Sequence, residues 1–361
     1  MNSHRLRILY VAYPLLPVSE GSAGGAEQML RVTEKQMARR GHYTAVAACD
    51  GSQVAGELLA TGAAPKESDC LPQRDAEHNA RILQFLARRQ RTTQRFHLIH
   101  DMSGTFWPQA AVLSLPVLAT LHLPRSFYAA SMFQNFPPNV SFTCVSESQE
   151  RTFADIPCVL GVVRNGIELE RFRPAQPKKG HLLWLGRFCQ EKGAHLAIQA
   201  ARHANLPLIF AGQVYPFSYH QQYFEREIAP HLNDGLERVS LVEAPNPEQK
   251  ARLLGQSCAL LIPSLADETS SLVAMEAAAC GTPVIAFRRG ALPEVVRDGV
   301  TGFLVDSVEK MAQAAGRLGE IRPAECRRHA EQNFSAACMA DGYEQLYRRL
   351  LAMTGAEKRA A

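Results

Sequence analysis

Pro263-Ser-Leu-Ala-Asp-Glu-Thr-Ser-Ser-Leu-Val-Ala-Met-Glu-Ala-Ala-Ala-Cys-Gly-Thr-Pro-Val-Ile-Ala286 is the stretch on which the fold turns. The apolar run Ala259 to Ile262 just ahead of it reads as a strand that stops at Pro263-Ser264. A polar loop follows, then a helix carrying Leu272, Val273, Met275 and Glu276 until Gly281 and Pro283 end it. Val284 to Phe287 is a second strand. Strand, loop, helix and strand make a βαβ crossover, and in parallel sheets ligands collect where strand carboxyl ends face helix N-termini. Glu268 falls at that edge, and Glu276 lies about two helical turns further on, close to the same face. Two carboxylates so placed suit either an acid–base pair or a ligand-holding pair.

The same alternation extends outward in both directions. Toward the N-terminus, Leu6 to Val11 is a strand, and Gly24-Gly25-Ala26-Glu27 opens a helix that ends near Gly41. Glycines between a strand and a helix let the backbone approach an anion, although a tight turn without a ligand reads equally plainly. Ala45 to Ala48, Leu98 to His100, Val117 to Leu121, Ser141 to Val145 and Val159 to Val163 are further strands. The segment from Gly51 to Leu71 is helix or loop, and Ala76 to Arg89 is a helix with a basic end at Arg88, Arg89, Arg91 and Arg95. That end is either a solvated face or a contact for an anionic membrane surface. His122 follows a buried strand, and Ser146 is placed to cap a helix with Glu150 in its first turn. Tyr128, Phe133 and Phe136 read as packing for their loop.

Phe172-Arg-Pro-Ala-Gln-Pro-Lys-Lys-Gly180 combines proline, charge and glycine, the composition of an interdomain linker. After it the pattern restarts with a strand at His181 to Leu185 and the loop Gly186-Arg187-Phe-Cys-Gln-Glu-Lys192-Gly193. Arg187 and Lys192 flank a helix start in a way that suits a pyrophosphate, or simply a solvated loop. Further strands are expected at Leu208 to Ala211 and Val239 to Val242, with helices at Ala194 to His203, Tyr219 to His231 and through Leu253 and Leu254. Phe334-Ser335 begins a last helix with Met339, Tyr343, Leu346, Tyr347, Leu350 and Leu351 on one side, and Gly355 to Ala361 should fray.

Bulk properties bound the class. With 361 residues the chain fits two domains rather than one core. Hydrophobic residues at 46% with charged residues at 20% describe a globular protein, and no run is long enough to span a membrane. A net charge of +4 is too small and scattered for nucleic acid. The nine cysteines form no CxxC pair, which fits reduced thiols in a cytoplasmic protein.

With these pieces placed, the chain resembles the family-4 retaining glycosyltransferases of the GT-B fold. The likeness runs over nearly the whole length. It is carried by Gly24-Gly25-Ala26-Glu27, Thr120-Leu-His122, Arg164-Asn-Gly-Ile167, Gly186-Arg187 with Glu191-Lys192-Gly193, Glu268 to Glu276, the run onward to Ile285, and Gly299-Val-Thr-Gly-Phe-Leu304. The resemblance implies an α/β protein of two Rossmann-like doubly wound domains facing across a cleft. On that reading residues 1–172 form an acceptor-side domain, 173–333 a donor-side domain, and 334–361 a helix that crosses back to the first.

It also implies roles by position. Arg187 and Lys192 would clamp the donor diphosphate, Glu276 would accept from the ribose hydroxyls, and Glu268 would sit by the sugar. Thr269, Ser270, Ser271 and Leu272 would offer backbone N–H groups to the donor, His122 would approach the sugar, and Gly24 and Gly25 would come close to phosphate or acceptor. The arginine and lysine take the place of a metal, so the resemblance implies no metal and no cofactor, with the nucleotide-sugar as substrate. The expected reaction moves a hexose, with retention, from a UDP-glucose-like donor to a hydroxyl of a sugar, glycolipid or small molecule. GDP-mannose-dependent transfer and a nucleotide-sugar 2-epimerase of the same fold are the alternatives. The expected location is cytoplasmic, with peripheral contact at the inner membrane face left open. Relatives commonly carry Gly-Phe-Gly where Thr269-Ser270-Ser271 stands, and often a glycine within Glu243-Ala-Pro-Asn-Pro247.

Overall fold

The computed structural model describes residues 5–22, 24–65, 71–89, 92–175, 177–232 and 238–355. Cys70, Arg91 and the tail 356–361 lie outside them. The chain divides into two compact units, Met1–Gly166 with Ala336–Ala361, and Ile167–Ser335.

The first unit is built on β1 (Arg7–Val11), β2 (Tyr43–Ala48), β3 (Glu57–Ala60), β4 (Leu98–Asp101), β5 (Val117–Leu121), β6 (Val140–Cys144) and β7 (Val159–Val162). They pair in parallel in the order β3-β2-β1-β4-β5-β6-β7. Helices α1 (Gly25–Arg39), α2 (Leu71–Arg89) and α3 (Glu147–Thr152) belong to the same unit. The inner strands are buried along their length, which is why they read as unbroken apolar runs. β3 does not read that way, because its residues are half-buried or exposed. It is fixed instead by Glu34, whose fully buried carboxylate accepts from Thr44 Oγ1 at 2.6 Å and from the N–H groups of Ala55 and Gly56 at 2.9 and 2.8 Å. Ser146 caps α3 by accepting from Gln149 N, and Tyr128, Phe133 and Phe136 pack around Phe142 and Phe153.

The second unit repeats the plan with β8 (Leu182–Arg187), β9 (Leu208–Gln213), β10 (Val239–Glu243), β11 (Ala259–Ile262), β12 (Val284–Phe287) and β13 (Gly302–Val305). Their parallel order is β10-β9-β8-β11-β12-β13. Helices α4 (Ala194–Ala204), α5 (Ser218–Glu227), α6 (Pro247–Gln256), α7 (Leu272–Ala279), α8 (Leu292–Val295), α9 (Val308–Ala315) and α10 (Pro323–Asn333) complete it. The sequence puts a linker at Phe172 to Gly180, but the boundary falls earlier, between Gly166 and Ile167. The 172–180 segment is tied into the second unit. Lys178 Nζ donates to Gly255 O, Cys280 O and Thr282 Oγ1 at 2.7, 3.0 and 2.6 Å, closing the end of α7. Arg327 Nη1 binds the carbonyls of Leu169, Phe172 and Ala279.

The last helix, α11 (Ala336–Met353), returns to the first unit and packs along α1. Its buried face carries Met339, Tyr343, Tyr347, Leu350 and Leu351. Tyr347 Oη shares hydrogen bonds with His100 Nδ1 at 2.6 Å and with Tyr10 Oη at 3.2 Å. Thr120 Oγ1 bridges His100 Nε2 and Tyr343 Oη at 2.7 and 3.3 Å. Arg40 at the end of α1 pairs with Asp341 and Glu344 at 2.7 and 3.0 Å. Among the described residues no helix is long and apolar enough to cross a membrane, and the eight described cysteines are free thiols.

Candidate active site

In the second unit the strand order runs outward from β8 on one side and from β11 on the other. In parallel sheets the carboxyl ends of the strands at such a switch point are where ligands bind. Arg187 ends β8, the loop after it runs from Phe188 to Gly193, and the loop after β11 holds Pro263 to Ser271. Leu265 N donates to Glu191 O at 2.8 Å, so the two loops are stitched together. Gly193 makes the junction possible. Its φ is +66°, and a β-carbon there would stand 2.1 Å from Pro263 O.

Lys192 and Glu268 meet directly. Lys192 Nζ lies 2.7 and 2.9 Å from the two carboxylate oxygens of Glu268, and Ser264 Oγ also donates to Oε1. The lysine side chain keeps 35% exposure and the glutamate 11%, so the ammonium is the open side of the pair. Glu268 is not on a helix. It sits in the loop ahead of α7, with its carbonyl accepting from Ala291 N at 2.7 Å, and Gly290 lies so close that a β-carbon would meet Glu268 N at 2.5 Å. The helical register that the sequence suggests between Glu268 and Glu276 thus holds only from Leu272 onward.

Arg187 ends β8 and is not joined to Lys192. Its guanidinium stands 3.6 Å from Glu191 and 5.3 Å from the centre of the Tyr215 ring, with 41% of the side chain exposed. At the start of α7, Ser271 is buried but makes no side-chain cap, and Ser270 Oγ is buried with no hydrogen-bond partner among the described residues. The first-turn N–H groups of an α-helix have no intrahelical acceptor, so this end offers donors. Thr269 completes the loop between Glu268 and Leu272.

Glu276 lies within α7 at 2% exposure. Its Oε1 accepts from Lys250 Nζ at 2.5 Å, whereas Oε2 is buried with no hydrogen-bond partner among the described residues. A buried carboxyl oxygen left without a partner is costly unless a ligand supplies donors. Lys250, on α6, is the residue sequence reasoning missed. The helix is fixed by the capping box of Asn246 and Gln249, but a single lysine on it carries no signal that it reaches Glu276. Ala244, just past β10 where relatives often place glycine, has a φ of +39°.

His122, Gly24 and Gly25 belong to the first unit. His122 follows β5 in a backbone held by Gln149 Nε2, which donates to Leu121 O and Leu123 O at 2.7 and 2.9 Å. Burial pushes its imidazole down to about 4, so it is neutral near pH 7 and cannot act as a cation there. Gly24 caps α1 with an ordinary extended φ of −81°. A β-carbon on it would stand 1.9 Å from Glu27 Oε2. The buried Glu27 side chain thus lies against Gly24, and burial raises its pKa.

For a metal, Cys189, Glu191 and His220 bring one ligand atom each within 4.8 Å of one another. Glu191 is already the partner of Arg187, so a dication there would have a guanidinium as its neighbour.

Two Rossmann-like units of parallel sheet, one with Lys192 and Glu268 paired between the loops that leave its central strands, define the architecture of a large class of α/β enzymes. Comparison with known proteins makes this specific. Residues 23–171 match the model described as Glycosyltransferase Family 4, and residues 167–332 match Glycosyl transferases group 1. The chain belongs to the family-4 glycosyltransferases and has their GT-B class of fold. D-inositol 3-phosphate glycosyltransferase of Rhodococcus opacus is 25% identical over 93% of this chain and 88% of its own. The protein of that name from Rhodococcus erythropolis is 32% identical over 54% and 49%. The fold matches sucrose-phosphate synthase from Thermosynechococcus elongatus at a TM-score of 0.77, with 21% identity over 97% of this chain and all of that one. It matches Anabaena HepE in complex with UDP and glucose at 0.74, with 19% identity over 95% and 99%.

Proposed function

We propose that this glycosyltransferase moves a hexose from a UDP-sugar, UDP-glucose in the first instance, to a hydroxyl acceptor with retention of configuration and without a metal. The observation that carries the donor assignment is the buried, half-satisfied carboxylate of Glu276, with one oxygen on Lys250 and the other unmet. Vicinal ribose hydroxyls supply the donors such an oxygen lacks. UDP is favoured as the nucleotide because the HepE structure, although alike in fold alone, holds UDP and glucose.

In this reading the exposed side of Lys192 and the guanidinium of Arg187 take the diphosphate. Their charge counters the charge that grows on the leaving phosphate as its bond to the anomeric carbon breaks. The acceptor oxygen forms the new bond on the same face, and its proton passes to the departing phosphate oxygen. No protein nucleophile is then needed. Glu268, held by Lys192 and Ser264, accepts from sugar hydroxyls. Ser270 Oγ, with Thr269 and Ser271, gives this donor loop side-chain hydroxyls where relatives have bare backbone. The inositol phosphate named for the Rhodococcus relatives makes small polyols and their phosphates reasonable first acceptors.

The test is a thermal-shift panel of UDP, GDP, ADP, UDP-glucose and GDP-mannose. At a hundredfold excess over Kd a ligand specific to the folded state adds about 2.7 kcal/mol. UDP and UDP-glucose should stand alone at the top, and a larger shift with GDP-mannose would overturn the donor assignment. Donor incubated without acceptor should yield no epimer.

A further inference from the structure

A second group of polar side chains gathers at the carboxyl edge of the first unit's sheet, around α2. Arg74, His78 and Arg81 recur at helical spacing, so they share one face of the helix. That face meets the turn after β3, where Gly62 N donates to Asp50 Oδ1 at 3.2 Å and Asp50 N to Gly62 O at 2.9 Å. A β-carbon on Gly62 would stand 2.8 Å from Arg74 Nη1, 3.0 Å from Arg74 Nη2 and 3.0 Å from Arg81 Nη1. Two guanidinium groups therefore converge on one point.

Their donors are poorly answered. The Arg74 side chain is 11% exposed, and its Nε and Nη2 are buried with no hydrogen-bond partner among the described residues. Its Nη1 lies 3.6 Å from Glu77, a glutamate with 48% of its side chain exposed, and the Cys49 thiol is its other neighbour. His78 is 2% exposed. Its Nδ1 shares a hydrogen bond with Thr61 Oγ1 at 2.7 Å, and Nε2 is buried without one. Asp50 is committed to Gly62 N, and Tyr13 Oη, in the loop after β1, is also buried and unmet. Structural arginines of this chain look different: Arg40 has two carboxylates and Arg327 three carbonyls. Burying a guanidinium with unmet donors costs several kcal/mol, so Arg74 at the carboxyl edge of the sheet calls for a partner.

The geometry points to an anion subsite in which Arg74, aided by Arg81, receives a phosphate ester carried by the acceptor. The assignment rests on the glycosyltransferase reading above and on the first unit holding the acceptor. Two fork-shaped cations turn several N–H donors toward one point, which suits the three terminal oxygens of a phosphomonoester better than the two of a planar carboxylate. The phosphate forms no covalent bond there; it anchors the acceptor while another of its hydroxyls reacts.

The test is calorimetric titration of the full chain, with and without saturating UDP, using inorganic phosphate, glucose 6-phosphate, glucose and glucuronate. Phosphate and glucose 6-phosphate should bind beside UDP, with glucose and glucuronate at least about tenfold weaker. Arg74→Gln should lose about tenfold to hundredfold in affinity for glucose 6-phosphate, the range expected for charge-assisted hydrogen bonds, while its UDP affinity shows that it is folded. Arg81→Gln should show a smaller loss, and it decides the matter if Arg74→Gln does not fold. Undiminished phosphate binding by the folded variants would overturn the subsite, as would glucuronate matching glucose 6-phosphate. Failure of UDP to bind the wild type would sink the donor reading, while the titrations without UDP would still decide this one.

Discussion

Replacing Glu276 by glutamine tests the centre of the donor assignment. The substitution keeps the shape of a side chain that is 2% exposed and packed within α7, and it removes the charge. Hydrogen bonds to a charged acceptor contribute about 1.5–3 kcal/mol and those to a neutral one about 0.5–1.5 kcal/mol. Two ribose hydroxyls donating to the carboxylate would each lose about 1 kcal/mol, or about 2 kcal/mol together. At 1.4 kcal/mol per decade this is a loss of roughly thirtyfold in UDP affinity. Lys250 keeps 20% exposure and can turn to water, so the fold should survive. Calorimetric titration with UDP and with 2′,3′-dideoxy-UDP completes the cycle. The dideoxy nucleotide lacks the hydroxyls, so wild type and E276Q should bind it alike. A UDP affinity within threefold of wild type would refute the reasoning. So would an equal loss with both nucleotides, because the carboxylate would then act through the loop and not through ribose.

Other consequences are open to measurement. Arg187→Ala with Lys192→Ala should reduce turnover by more than about a hundredfold while the protein keeps its melting transition, and normal turnover would exclude the diphosphate clamp. Activity should persist in EDTA; a loss restored by a divalent ion would contradict the metal-free reading and turn attention to Cys189, Glu191 and His220. Gly193→Ala should destabilise by about 2 kcal/mol or more, since it adds a left-handed alanine and a clash with Pro263 O, and an unchanged urea midpoint would count against the loop junction. His100 is fully buried, and burial holds its pKa well below the ordinary 6.5. The unfolded chain binds this proton first, so stability is complete above about pH 6.5 and falls as the pH drops below it, by up to about 1.4 kcal/mol per pH unit. Urea midpoints from pH 7.5 to 5 should show a shallower decline for His100→Gln, and an identical decline would refute the assignment.

What the sequence made legible follows from burial. The inner strands of both sheets bury both faces, so each announces itself as an apolar run. The family motifs led to the Glu268 and Lys192 loops because turn chemistry there is local. β3 was not legible, since an edge strand with half-buried residues has no apolar run and depends on the distant Glu34. The 172–180 segment has the composition of a linker because proline, lysine and glycine look the same there as in a packed segment whose lysine binds carbonyls of its own unit. Lys250 and Arg74 are single charged residues on ordinary amphipathic helices, and only tertiary proximity distinguishes them from solvated ones.

The return of α11 to the first unit bears on how the chain is made. Tyr343 and Tyr347 complete the hydrogen-bonded cluster around His100 and Thr120 in the centre of the first sheet. They leave the ribosome only after the whole second unit. At roughly 5–20 residues per second, the first unit waits on the order of ten seconds with one flank of its sheet uncovered, while the second, continuous in sequence, can close at once. Order of birth and order of completion are reversed. A nascent chain stalled before Ala336 should hold a protease-resistant second unit beside a first unit that chaperones still recognise.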